Sequence, residues 1–78
     1  MPTFRIFVVN QNFDSETELE VPSLEDARDQ AIEGALHIGV EEVAVENPFF
    51  AAEVRIQGAE DDTYLARYVV SVGVSPLR

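Results

Sequence analysis

The stretch from Val21 to Val40 constrains this chain more than any other, because it reads as the one helix in a sequence otherwise made of strands and turns. Ser23 stands where an N-cap belongs, its hydroxyl placed to accept from the backbone N–H of Asp26. Glu25 and Asp26 set negative charge against the positive end of the helix dipole. Gly39 supplies a stop: glycine enters the left-handed region without steric cost, and Val40 beyond it offers the apolar contact that accompanies such caps. Spacing successive residues by about 100° gathers Leu24, Ala27, Ala31, Ile32, Ala35, Leu36 and Ile38 on one face, with Asp26, Asp29, Gln30, Glu33 and His37 opposite. Burying Leu24, Ile32, Leu36 and Ile38 is worth roughly 6 to 12 kcal/mol as an upper bound, and the alanines allow close approach to a sheet. A lone amphipathic helix must bury its stripe against something, and strands are the only material here. Arg28 falls inside the apolar sector, so its stem is expected over the core and its guanidinium at the rim.

The strands declare themselves by alternation. Thr3 to Val9 places Phe4, Ile6 and Val8 on one side and Arg5, Phe7 and Val9 on the other, a strand apolar on both faces. The turn formers from Asn10 to Ser15 let the chain reverse. Glu16 to Val21 follows with Thr17, Leu19 and Val21 inward and Glu16, Glu18 and Glu20 outward; an acidic open side suits an edge strand. Val40, Val43 and Val45 fit either a short extra strand or a loose helical turn, so Gly39 to Pro48 reads as a connection in which Pro48 keeps Asn47 out of helical geometry. Phe50, Ala52, Val54 and Ile56 then alternate with Ala51, Glu53, Arg55 and Gln57. After a turn over Gly58 to Asp62, the run Thr63 to Val74 places Tyr64, Ala66, Tyr68, Val70, Val72 and Val74 inward, and its length and two-sided apolarity predict a central strand. The expectation is an α+β domain over residues 1–78: a four-stranded, largely antiparallel sheet with one helix on one face, in the order β-β-α-β-β.

Composition bounds the chemistry. A domain of 78 residues buries only about 60% of its unfolded surface, which makes self-association an expectation. No cysteine means no disulfide, thiol nucleophile or cysteine-based metal site, and a single His does not assemble a zinc site alone, so no cofactor or metal is expected. Fifteen acids against five arginines give a formal net charge of −10, a poor match for nucleic acid. Met1-Pro2-Thr3-Phe4-Arg5 shows neither a leader pattern nor a lipidation signal, and no apolar run reaches membrane-spanning length; a soluble cytoplasmic protein with no membrane partner is expected.

Motifs of catalysis are missing: there is no phosphate-binding glycine loop, nucleophile elbow or paired-His helix. His37, near the expected helix end and four residues after Glu33, has neither nucleophile nor pocket named beside it. Glu41-Glu42 and Glu60-Asp61-Asp62 lack the ligand spacing of a calcium loop. Tyr64 and Tyr68 read as core. A hydrolase reading would rest on His37 and the acidic turns alone. Two surfaces stand out instead. If Phe4, Ile6, Val54, Ile56, Val70 and Val72 face the helix, Phe7, Val9, Leu65 and Val69 emerge opposite, interleaved with Arg5, Arg55, Arg67 and Glu53, and such a patch suits a homodimer. Glu16, Glu18 and Glu20 on the strand, with Asp26, Asp29 and Glu33 on the helix, are the alternative: an acidic face that mimics or inhibits by binding a basic protein partner.

Met1-Pro2 with the aromatic strand through Phe7, the run from Leu19 to Arg28 and the run from Phe50 to Arg55 together resemble a family of small uncharacterised bacterial domains of unknown function. Pro22, Leu24, Glu25, Ala27 and Arg28 fall on that family's Glu-Leu-Pro-Asp-Leu-Glu-Ala-Ala-Arg type of helix entry, while Asp14 to Thr17 lacks the Gly usually found before it and the turn after Ile56 looks longer. The resemblance implies a strand-strand-helix-strand-strand domain and assigns no catalytic residue. The leading expectation is a small acidic interaction or assembly module, non-enzymatic and self-associating.

Overall fold

The computed structural model of the chain describes residues 1–45, 48–60 and 63–77. Glu46, Asn47, Asp61, Asp62 and Arg78, and the side chain of Val45, lie outside the described residues, and with them most of the acidic turn and the Asn47-Pro48 restraint. Four strands and a helix follow one another as β1 (Thr3–Val9), β2 (Asp14–Glu20), α1 (Leu24–Val45), β3 (Phe49–Gly58) and β4 (Tyr64–Gly73). The strands form one antiparallel sheet in the order β2-β1-β3-β4. This is the expected α+β architecture. The β1–β2 turn is held by Asn10, whose Oδ1 accepts from the backbone N–H groups of Asn12 at 2.8 Å and Phe13 at 3.0 Å.

Alternation sorts the faces as expected. Phe4, Ile6 and Val8 of β1, Phe50, Ala52, Val54 and Ile56 of β3 and Val70 of β4 are buried beneath the helix. Ser23 caps α1, its hydroxyl accepting from the Asp26 N–H at 3.2 Å and donating to the Asp26 carboxylate at 3.0 Å.

The helix departs from expectation in two ways. It does not stop at Gly39 but runs 22 residues to Val45, with Val40 facing solvent. A Cβ at Gly39 would stand 2.7 Å from Phe50 Cδ2 and 2.9 Å from Val72 Cγ2, so glycine is there to let the helix approach the sheet, not to end it. The face in contact is also different. Ala27, Ala31, Ala35 and Gly39, each one turn apart, are buried, whereas Leu24 and Leu36 are exposed and Ile32 and Ile38 sit on the flanks. A stripe of small residues brings the axis close to β3 and β4, where most of the helix packs, and leaves the larger aliphatics straddling the contact. Arg28 keeps its stem partly covered and donates to Asp29 Oδ1 from Nε at 3.2 Å and Nη2 at 2.9 Å.

Strand β4 is an edge, not a central strand; β1 and β3 hold the centre. Its two-sided apolarity comes from covering the core with one face and carrying exposed Val69 on the other. Face burial says nothing about lateral neighbours. A bulge also reorders its start: Ile56 pairs with Ala66 but Gln57 with Tyr64, so Leu65 is the extra residue. Tyr64 therefore lies on the face away from the helix, parted from Tyr68, which packs against the core.

Candidate functional site

The face of the sheet away from the helix has no second layer among the described residues. Strand pairing arranges it in rows that cross all four strands: Glu16, Phe7, Arg55 and Arg67 form one, Asp14, Val9, Glu53 and Val69 the next. On the other side of the first lies the row of Glu18, Arg5, Gln57 and Tyr64. Of the expected apolar groups, Phe7, Val9 and Val69 are thus brought to one face, while Leu65 is the unpaired residue of the bulge. Phe7 and Val9 are half-covered at its centre, while Leu65 is 43% and Val69 77% exposed along the β4 edge.

Ion pairs knit these rows together. Arg5 Nε lies 3.4 Å from Glu16 and its Nη2 3.8 Å from Glu18 across the β1–β2 pair. Arg55 and Arg67 stand directly opposite each other on β3 and β4, an arrangement that repels unless a carboxylate intervenes. Glu53 does so, accepting from Arg55 at 3.1 Å and from Arg67 at 2.9 Å. Those hydrogen bonds, first from Arg55 and then from Arg67, hold the Glu53 carboxyl below the usual glutamate range against the opposing effect of desolvation. The same contact, with a smaller one from Tyr64, raises Arg55. The Arg5 and Arg55 side chains are themselves only 24% and 33% exposed, and Phe7 beside them on this face is half-buried.

The acids proposed as a partner surface do not gather. Glu16, Glu18 and Glu20 belong to the open face of the sheet, whereas Asp26, Asp29 and Glu33 project from the helix on the far side of the molecule. Two of the first set face Arg5, and in the second Asp26 is engaged at the helix cap and Asp29 by Arg28. His37 is exposed at mid-helix, eight residues from its end, and lies 3.5 Å from Glu41 rather than beside Glu33. It lines none of the cavities described here.

Those cavities are open. One of about 480 Å³ occupies the notch where β3 runs on past the end of β1, walled by Val9, Asn10, Phe49, Ala51 and Val69. A second of about 270 Å³ lies between the helix flank and the β1–β2 hairpin, lined by Ile6, Thr17, Leu19, Ala31, Gly34 and Ile38. A shallow third of about 250 Å³ sits beside Glu53, Arg67 and Val69. None contains an acid–base pair beside a nucleophile. Among the described residues there is no group of three or more His, Asp or Glu side chains that could hold a metal, and no helix long and apolar enough to cross a membrane.

Sequence reading missed two members of the open face. Tyr64 is 54% exposed and arrives there through the bulge, which leaves no mark in an alternation pattern. Phe49 is 63% exposed and lies over Gly73; its odd place in the β3 alternation was the available signal. Comparison of the chain with protein-family models, with curated proteins and with solved structures finds no match.

Proposed function

We propose that this chain is a non-enzymatic assembly module that self-associates through the open face of its sheet. The observation that carries the reading is the sheet face left without a second layer among the described residues, where Val69 is 77% exposed. The chain exposes 5362 Å², against about 4,700 Å² expected of a folded monomer of its 8.7 kDa mass. The surplus, about 600 Å², belongs to the whole chain, its exposed ends at Met1 and Leu77 included. It accompanies an elongated shape of 49 × 21 × 16 Å and a sheet with a layer on one side only. Val69, Tyr64 and Phe49 are large groups exposed on that side, and Leu65 is exposed at the bulge.

The acidic-mimic reading draws less support, because its two sets of carboxylates point away from one another. A hydrolase reading draws less still, with His37 outside every cavity described above. Light scattering across the micromolar range tests the proposal: the apparent mass should rise from one chain toward two. Val69→Glu should hold it at one chain, and Glu33→Gln on the far side of the helix should change nothing. A native chain that stays monomeric throughout would overturn the proposal.

A further inference from the structure

The open face is electrostatically lopsided along the line that crosses its strands. The outward residues of β2 are Asp14, Glu16, Glu18 and Glu20, four acids in succession. At the other edge β4 turns outward Tyr64, Arg67, Val69 and Ser71, with one cation and no acid. Two copies that meet face to face about a two-fold axis have two simple choices. An axis lying across the strands sets β2 over the partner's β2, acid row against acid row. An axis parallel to the strands, between β1 and β3, sets β2 over the partner's β4.

Resting on the reading of this face as a self-association surface, we infer that the second copy docks about the strand-parallel axis, so that Glu16 of each protomer meets the partner's Arg67. Rotation about such an axis preserves position along the strands, so each row meets itself reversed. The row of Glu16, Phe7, Arg55 and Arg67 opposes the partner's Arg67, Arg55, Phe7 and Glu16. Both ends become opposite-charge contacts, and each Phe7 ring lies under the partner's Arg55 guanidinium, a favourable cation–π arrangement. In the next row Val69 falls over the partner's Asp14 and Val9 over the partner's Glu53, which keeps the apolar groups near the stems of the charged ones. Packed sheets lie about 10 Å apart and within about 30° of alignment, a gap that an extended arginine and glutamate bridge together. Both ends have the freedom to reach: the Glu16 side chain is 56% and the Arg67 side chain 67% exposed. Glu53 then lies between two cations of its own chain, leaving Arg67 with donors to spare for a second carboxylate.

The inference is tested by charge reversal in trans. Glu16→Arg alone sets like charges against each other at both ends of the row, and so does Arg67→Glu alone. Each variant should self-associate at least about tenfold more weakly than the native chain at low salt. Mixed in equal amounts, they form a heterodimer in which both contacts are again between opposite charges, and association should return to within a few-fold of native. Failure of the native chain to associate would overturn the reading of the face itself. A native chain that associates, with variants that bind as tightly as it does or a mixture that restores nothing, would leave that reading standing and overturn the axis. Should either variant fail to fold, single cysteines in this cysteine-free chain decide the matter. A short bis-maleimide should join Glu18→Cys to Tyr64→Cys in a mixture and should not join Glu18→Cys to itself; the reverse pattern would mean the axis across the strands.

Discussion

The two faces of this sheet are built by the same strands with the same alternation, yet they solve the problem of covering apolar surface differently. On the helix side Val54 and Ile56 have no exposure at all, and a stripe of alanines and one glycine brings a second layer into direct contact. On the open side Phe7 and Val9 are half-buried among arginines whose charged heads are paired with Glu53, Glu16 and Glu18. The first device is dry and close-packed. The second is wet and incomplete, and it ends before the β4 edge, where Val69 is left in water. A half-covered face of this kind leaves the surface that the proposed self-association would cover.

The contrast can be broken most severely from the helix side. Ile56→Ala should cost about 2 to 5 kcal/mol, since it opens a cavity that packed neighbours cannot fill. Val69→Ala, measured at a concentration where the chain is monomeric, should stay within about 0.5 kcal/mol. Denaturant titration of both variants gives the comparison directly. Gly39→Ala comes next: with Phe50 and Val72 already inside the space a Cβ needs, overpacking should cost about 1 to 3 kcal/mol. Gly34, five residues earlier in the same helix, has nothing within 4 Å of an added Cβ, so Gly34→Ala should raise stability by up to about 1 kcal/mol. Opposite signs for two identical substitutions in one helix would show that closeness to the sheet, and not helix propensity, governs Gly39.

The smallest effect belongs to the open face. Glu53 titrates lower in the folded chain than the 4.5 usual for glutamate. Its contribution to stability is therefore fully present above that ordinary value and is lost as pH falls below it and through the lowered one. Melting temperature followed from neutral to strongly acidic pH should fall more steeply for the native chain than for Glu53→Gln, which removes that proton. Parallel curves would mean that the carboxylate contributes nothing to holding Arg55 and Arg67 together.

Much of this was legible in the residues, and the exceptions share a cause. Alternation in β1 and β3 placed every buried side chain of those strands on its proper face, and Ser23 with Asp26 marked the helix start. What alternation reports is which way a side chain points. It cannot tell an edge strand from a central one, so it predicts a central β4 that the fold sets at the edge, and it fails at a bulge, which carries Tyr64 to the face away from the helix. Gly39 was misread because glycine serves two purposes that look alike in a sequence, release of the backbone and room for a neighbour. The neighbour here, Phe50, lies beyond the helix and becomes visible only with the fold. Strand parity made Arg5, Arg55, Arg67 and Glu53 legible as neighbours on the open face, whereas the pairing of Arg5 with Glu16 and Glu18 and of Glu53 with both other arginines depends on the register. The division of the proposed acidic surface was not, because strand and helix acids share a charge but not a side of the molecule.

Radical footprinting, in which exposed side chains are oxidised at low and at high protein concentration, tests the central claim most directly, because it reports which face is covered when chains meet. Oxidation of Phe7, Tyr64, Leu65 and Val69 should fall as concentration rises, while Leu36 and Val40 on the outer side of the helix continue to react at the same rate. Protection of Leu36 and Val40 with the sheet residues still reactive, or a doubling of mass with no change at Val69, would contradict it.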